Sequence, residues 1–176
     1  RQLDDGVTAV LAAVKVHRGG CELSLLHAVI PYVTQVIISQ KMQKQQEYLC
    51  YHDSLTGLMN RNSFVVYLSE EERELQSLGA LSVDINGLKN FNKEFGREYG
   101  DEVVSRVGEV LEEYFRPGSV YRLTGDEYLA VAEDISYEKF MKLVHGAHDK
   151  LENISLGLAT FGYAWEKVDI DAGSLV

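Results

Sequence analysis

Thr124-Gly125-Asp126-Glu127-Tyr128 joins two short apolar runs, residues 120–123 (VYRL) and residues 128–132 (YLAVA). Two such runs on either side of a short linker that contains glycine predict a β-hairpin. The turn of this hairpin would present two adjacent carboxylates, Asp126 and Glu127, at the edge of a sheet. Because like charges so close together repel, they need either a cation or full hydration. Taken alone, the same residues are more often simply an exposed polar turn, since turns favour Gly and Asp for local reasons.

A second acidic residue lies at the end of another apolar run. Residues 80–87 (ALSVDING) predict a buried strand that delivers Asp84 near its carboxyl end. Strand ends of this kind commonly hold a metal ion or a phosphate. If the strand lies beside the hairpin, Asp84, Asp126 and Glu127 converge, and three hard oxygen donors suit Mg²⁺ or Mn²⁺. The alternative is that Asp84 caps the helix that follows it.

Four blocks of sequence together resemble the motifs of GGDEF domains, the diguanylate cyclases. Residues 52–61 (HDSLTGLMNR) are similar to D-x-L-T-G-L-x-N-R, residues 84–92 (DINGLKNFN) to D-x-D-x-F-K-x-x-N, and residues 96–101 (GREYGD) to G-H-x-x-G-D. Residues 124–128 (TGDEY) stand at the family signature itself. The blocks follow the order and spacing of the family from about residue 51 to residue 161. This combination is highly specific, although no single block is.

The resemblance implies an enzyme that joins two GTP molecules into cyclic di-GMP and releases two pyrophosphates. In each step a ribose 3′-hydroxyl attacks an α-phosphate, and a homodimer brings two GTP-loaded protomers face to face. Asp84, Asp126, Glu127 and the main chain of Ile85 would hold one or two Mg²⁺ (or Mn²⁺) ions. Asp126 or Glu127 would help remove the proton of the hydroxyl. Family practice points first to Asp126, but the sequence does not separate the two.

The resemblance also implies the residues that bind GTP. Asn92 and Asp101 match the pair that reads guanine, because a carboxylate accepts both N1–H and N2–H while an amide bonds O6 or N3. Lys89 would meet the β- and γ-phosphates as a point charge. Gly125 would let the backbone approach the α-phosphate without a Cβ in the way. Without the family context, Lys89 is a surface residue, and Asn92 and Asp101 are helix caps.

The chain departs from the family pattern at several positions. Thr124 replaces the first glycine of the signature, which would cost strain if that position needs a positive φ. Asn86 replaces the second aspartate of D-x-D and removes one charge near the metal. Milder replacements are Tyr128, Leu88, Lys93 and Arg97.

Two further family features have no counterpart. The product-inhibition motif R-x-x-D would fall at Phe115 and Gly118, and the closing helix of the family is missing before Val176. These departures keep a second function open, in which a degenerate GGDEF module binds GTP or a protein partner without turnover. A third possibility is a purely structural, dimerising signalling fragment.

Composition narrows the class of protein and its partners. The formal net charge of −10 argues against a nucleic-acid partner, which needs a basic face. Cys21 and Cys50 are too few for a disulfide framework and predict a reducing, cytoplasmic compartment. The longest weakly polar run, residues 25–38, is too short for a membrane segment.

The chain is expected to divide into two parts. Residues 1–50 would hold the remnant of an upstream sensor domain and a signalling helix, and residues 7–16 with the following helix faintly resemble the end of a GAF domain. An amphipathic helix packed on its own domain is the alternative. Residues 51–176 would form the GGDEF domain without its last helix.

The pattern along residues 51–176 predicts the fold. Helices are expected over residues 62–77 and 88–94, from Asp101 onward, and over residues 137–151, with strands over residues 80–85, 120–123, 128–132 and 154–161. This order predicts an α+β fold, a ferredoxin-like (split βαβ) palm with helices packed on an antiparallel sheet. An N-terminal helical linker would precede it.

Overall fold

The computed structural model describes residues 23–69, 74–154 and 159–168 and divides the chain into two compact units, residues 1–48 and residues 49–176. In the first unit the described part is helix α1 (Leu23–Tyr51), which contains Pro31 and crosses the boundary between the units. The helical linker is therefore present. The predicted strand-like run at residues 7–16 and its resemblance to a GAF domain lie outside the described residues.

The second unit contains strands and helices in the predicted order, with one additional strand. The elements are β1 (Met59–Asn60), α2 (Arg61–Ser69), β2 (Ser77–Ile85), α3 (Leu88–Phe95), α4 (Arg97–Tyr114), β3 (Val120–Arg122), β4 (Glu127–Glu133), α5 (Tyr137–Ile154) and β5 (Ala159–Lys167).

The strands form a five-stranded sheet in the order β1-β3-β4-β2-β5. Strand β2 pairs antiparallel with both β4 and β5, and β3 pairs antiparallel with β4. This arrangement confirms the α+β, ferredoxin-like palm. Strand β1 pairs in parallel with β3, so the sheet is mixed rather than wholly antiparallel. A two-residue strand depends on a distant partner and leaves no local pattern in the sequence.

The core lies between one face of the sheet and helices α4 and α5. Alternate residues of β2 point into it, because successive side chains of a strand face opposite sides. Gly79 of β2 has no room for a side chain, since a Cβ there would lie 2.5 Å from the ring of Phe140. The largest fully buried side chains include Tyr128, Phe140, Leu58, Leu81, Ile85, Leu111 and Leu151.

Several element boundaries differ from those predicted. Strand β2 begins at Ser77 rather than at residue 80, because it pairs with β5 as far as Ser77 opposite Lys167. Helix α4 begins at Arg97, not at Asp101, because Gly96 with φ 93° separates it from α3. Helix α5 continues to Ile154, and β5 runs over residues 159–167 instead of 154–161.

Tyr128, which stands where the family has phenylalanine, is completely buried and its hydroxyl donates a 2.8 Å hydrogen bond to the carbonyl of Val104. Burial raises the pKa of Tyr128, so the hydroxyl stays protonated and able to donate. The bond ties strand β4 to the helix that carries Asp101. The added hydroxyl is therefore satisfied, and this departure from the family pattern is mild.

Over the described part of the chain, we find no helix with the length and apolar character needed to cross a bilayer.

Candidate active site

The sheet register places two of the predicted acidic residues directly opposite each other. Asp84 of β2 pairs with Glu127 of β4, and the amide of Ile85 donates to the carbonyl of Asp126 at 3.0 Å. Directly opposed residues project from the same face of a sheet. The pKa of Asp84 is raised by burial first, and then by the negative charges of Asp126 and Glu127. The three carboxylates are therefore close enough to repel one another.

Thr124 joins two of these carboxylates. Its hydroxyl oxygen lies 3.1 Å from Oδ1 of Asp126 and 3.1 Å from Oε2 of Glu127. Among the described non-glycine residues only Asp134 has a positive φ, so Thr124 adopts an ordinary backbone conformation. The replacement of the first signature glycine therefore brings no backbone strain to the turn.

The donor set at this corner has the chemistry of a magnesium or manganese site. All of its donors are hard oxygen atoms. A divalent cation would relieve the mutual repulsion, which adds to burial in raising the pKa of Asp84. As the side chains stand, no three His, Cys, Asp or Glu residues in the described ranges are placed to ligate one ion. Asp84, Asp126 or Glu127 would therefore have to rotate before their oxygens could converge on a cation.

Asn86, the replacement in the D-x-D motif, donates from its amide to the hydroxyl of Thr160 on β5. Thr160 in turn lies opposite Asp84 in the register of β2 with β5. The row Glu127–Asp84–Thr160 therefore crosses three strands at this end of the sheet. Asn86 therefore bonds to Thr160, the uncharged residue of this row.

The two residues predicted to read guanine lie on adjacent helices. The side-chain oxygen Oδ1 of Asn92, on α3, is buried and has no hydrogen-bond partner among the described residues. A Cβ on Gly100 would lie 1.6 Å from this oxygen, so Asn92 packs directly against the turn of α4 that precedes Asp101. A buried acceptor without a partner costs free energy, which a donor from a bound ligand would recover.

The other two predicted substrate-binding residues are exposed. Lys89 lies in the first turn of α3, which follows Gly87 at φ 71°. Gly125 has no atom within 4 Å of the position that a Cβ would take, and its φ is not positive. The turn is therefore open on that side, and the glycine is not required by backbone conformation. The carbonyl of Gly125 accepts a 2.7 Å hydrogen bond from Arg122.

Asp53 and Arg122 form a partly buried ion pair that the sequence did not single out. Their closest atoms are 2.8 Å apart, and their side chains are 23% and 11% exposed. Asp53 also accepts from the amide and hydroxyl of Thr56 at 2.9 and 2.8 Å. Arg122 thereby connects the first motif to Gly125 in the signature turn. The occurrence of Asp53 in a family motif was the available signal, but only the fold identifies its partner.

The Asp53–Arg122 pair makes stability depend on pH. Burial opposes ionisation of Asp53, but the hydrogen bonds from Thr56 and Arg122 and the charge of Arg122 outweigh it and lower its pKa. A carboxyl with a lowered folded-state pKa stabilises the fold above its unfolded pKa of about 3.9 and loses that contribution as the pH falls further. Asp53→Asn should cost about 1–3 kcal/mol at pH 7, and less at pH 3.

Urea unfolding of the wild type and Asp53→Asn at both pH values measures this difference. Glu109→Gln is the matched control, because Glu109 pairs with Arg106 at an exposed position and should cost less than about 1 kcal/mol. A cost for Asp53→Asn that is equal at pH 7 and pH 3 would contradict the pairing.

At the position of the product-inhibition motif, Phe115 is 3% exposed and belongs to the core, and Gly118 has φ 84°. The arginine and aspartate of R-x-x-D are replaced by a core side chain and a turn glycine. Phe115 and Gly118 therefore each have a structural role at the positions where the family has the motif.

Comparison with known proteins agrees with the motifs. Residues 50–160 match the family model described as "Diguanylate cyclase, GGDEF domain". An uncharacterised membrane protein of Staphylococcus saprophyticus is 32% identical over 128 residues, which are 70% of this chain and 36% of that protein. A second one, of Staphylococcus aureus, is 30% identical over 129 residues, with the same shares. The chain thus spans about a third of the length of these relatives.

Solved structures share the fold. The coiled coil and GGDEF domain of DgcB from Caulobacter crescentus, in complex with c-di-GMP, superimposes with a TM-score of 0.62 at 20% identity, covering 82% of this chain and 84% of that one. The diguanylate cyclase SiaD from Pseudomonas aeruginosa, in complex with its activator SiaC, gives a TM-score of 0.59 at 20% identity, covering 94% and 70%. The family match over residues 50–160 and this shared fold establish that the chain belongs to the GGDEF family of diguanylate cyclase domains.

Proposed function

We propose that this chain is a diguanylate cyclase that condenses two GTP molecules into cyclic di-GMP with release of pyrophosphate. The observation that carries the proposal is the register that sets Asp84 opposite Glu127 and beside Asp126. Three neighbouring carboxylates cost free energy, because their negative charges repel one another. An ordinary polar turn does not require this arrangement. The pKa of Asp84 is raised by burial first and then by the negative charges of Asp126 and Glu127, so repulsion contributes to the shift.

Asp84, Asp126, Glu127 and the main chain of Ile85 would hold Mg²⁺ or Mn²⁺. When bound, the ion lowers the pKa of a coordinated hydroxyl and offsets charge on the phosphoryl group. The carboxylates orient the ribose 3′-hydroxyl of one GTP, and Asp126 or Glu127 accepts its proton. We favour Asp126 as this base, because its main-chain carbonyl accepts a hydrogen bond from the amide of Ile85 and the residue is less exposed than Glu127.

Guanine would bind between α3 and α4. The buried oxygen of Asn92, which has no partner in the described structure, would accept a hydrogen bond from the amino group of guanine, and the amide N–H of Asn92 would donate to O6 or N3. Asp101, one residue beyond the Gly100 against which Asn92 packs, would accept N1–H and N2–H. Lys89 would meet the β- and γ-phosphates, and the open side of Gly125 leaves room for the α-phosphate.

The proposed reaction needs a homodimer, because each protomer supplies one GTP to a shared product. Residues 1–50 would belong to an upstream sensor and its signalling helix, and residues 51–176 to the catalytic domain. We place the domain in the cytoplasm, where GTP is available and where an exposed free cysteine such as Cys50 stays reduced.

Incubation of the chain with GTP and Mg²⁺, followed by measurement of both bound GTP and released pyrophosphate, tests this function. A cyclase releases pyrophosphate in proportion to GTP consumed. Stoichiometric GTP binding without pyrophosphate would instead support the degenerate, GTP-binding module.

A further inference from the structure

Thr124 places a neutral oxygen between the two signature carboxylates, at a position where the family has no side chain. Its hydroxyl oxygen is 3.1 Å from Oδ1 of Asp126 and 3.1 Å from Oε2 of Glu127. Thr124 and Glu127 are exposed, and Asp126 is half-buried. The three oxygens therefore lie close together at an accessible edge of the sheet, outside the hydrophobic core.

The hydroxyl cannot satisfy both carboxylates by hydrogen bonding. It carries one proton, so it donates to Asp126 or to Glu127 at any moment, while its own lone pairs stay available. The other short oxygen–oxygen distance is then a contact between two electron-rich atoms. Such a contact becomes favourable when a cation lies against both oxygens.

The separations fit the ligand sphere of a small divalent cation. Mg²⁺ binds oxygen at about 2.1 Å in near-octahedral geometry, so neighbouring ligands are about 3 Å apart. Thr124 makes a separation of this size with each carboxylate. Neutral hydroxyl oxygens of Ser and Thr are established magnesium ligands in other nucleotide-binding sites.

We infer that Thr124 is a positioning residue whose hydroxyl holds the Asp126 and Glu127 oxygens at ligand spacing and supplies a third, neutral oxygen toward the divalent cation. This inference rests on the proposed function, because it concerns the same cation. In the sequence alone, Thr124 is a departure from the family signature that favours a degenerate module. According to this inference, Thr124 instead strengthens the metal site.

Binding of Mn²⁺ alone, followed through the electron paramagnetic resonance signal of the free ion, tests the inference without any turnover. Thr124→Val keeps the shape and removes the hydroxyl, and should weaken Mn²⁺ binding about tenfold, as loss of a supporting contact at a metal site typically does. Thr124→Ser keeps the hydroxyl and should bind within about twofold of wild type. Thr124→Gly, which restores the family residue, should weaken binding as valine does.

Asp126→Asn serves as the reference variant that separates the two proposals. If Asp126→Asn weakens Mn²⁺ binding and Thr124→Val does not, the role of Thr124 is wrong and the proposed metal site stands. If wild type and Asp126→Asn are indistinguishable, both are wrong. Tighter binding by Thr124→Gly than by wild type would also overturn the inference. Equal melting temperatures of wild type and Thr124→Val, expected because Thr124 is exposed, exclude a folding defect as the cause.

Discussion

Asp126→Asn is expected to lower the rate of cyclic di-GMP formation by about 10²–10⁴-fold, the usual contribution of a positioned proton acceptor. The substitution keeps the shape of the side chain and removes the charge that accepts the proton of the 3′-hydroxyl. Glu127→Gln should lower the rate by at least about 10²-fold, the usual effect of losing one electrostatic contact to the transition state. Initial rates by chromatographic separation of GTP and product, at saturating Mg²⁺, provide the measurement.

Glu112→Gln is the control for this pair, since Glu112 is an exposed carboxylate on α4 with no place in the proposed site. Its rate should match that of wild type. Asp126 and Glu127 lie at a turn outside the core, so the melting temperatures of all three variants should also match. Wild-type rates in both signature variants would reject the assignment of Asp126 and Glu127 to catalysis.

The second large effect concerns recognition of the guanine base of GTP. Asp101→Asn is expected to weaken GTP binding about tenfold, because an amide cannot accept both N1–H and N2–H, and one unsatisfied buried group costs about 1–3 kcal/mol. Wild type should bind ATP more weakly than GTP, because adenine would leave the Asp101 carboxylate unsatisfied. The ratio of the GTP and ATP affinities should be smaller in Asp101→Asn. Calorimetric titration with GTP and ATP measures all four affinities.

Gly100→Ala gives an independent test of the same pocket. Alanine normally stabilises a helix interior relative to glycine by about 1 kcal/mol, but here the new Cβ would lie 1.6 Å from the Asn92 oxygen, so Asn92 must move. GTP binding should weaken while the helix persists. Gly162→Ala is the control, because nothing lies within 4 Å of a Cβ at that position. Equal GTP affinity of Gly100→Ala and wild type would contradict the role of Asn92.

The sequence predicted those parts of the fold whose signals are local. The hairpin was expected over residues 120–123 and 128–132 and is found at Val120–Arg122 and Glu127–Glu133. Two short apolar runs on either side of a polar turn that contains glycine are typical of a hairpin. Helix α5 was likewise expected over residues 137–151 and is found at Tyr137–Ile154. The family and the ferredoxin-like order of strands were confirmed.

Features that depend on distant contacts were missed. Strand β1 exists only through its pairing with β3, and the early start of α4 depends on the conformation of Gly96. Arg97, Glu98 and Tyr99 carry no apolar stripe that would have revealed that first turn.

The sequence named candidate site residues but not how they are arranged. Motifs named Asp84, Asp126 and Glu127, but only the register shows Asp84 opposite Glu127. The hydroxyl of Thr124, which the sequence presents as a defect, contacts both signature carboxylates. Arg122 had no motif of its own, and its link from Asp53 to Gly125 appears only in the folded chain.

Mass spectrometry of the products formed from GTP and Mg²⁺ tests the central claim most directly. Wild type should convert GTP to cyclic di-GMP, with two pyrophosphates released for each product, and the Asp126→Asn, Glu127→Gln double variant should leave GTP unchanged under the same conditions. GTP that is bound by the wild type yet recovered intact, with no cyclic di-GMP above the level of the double variant, would contradict the account.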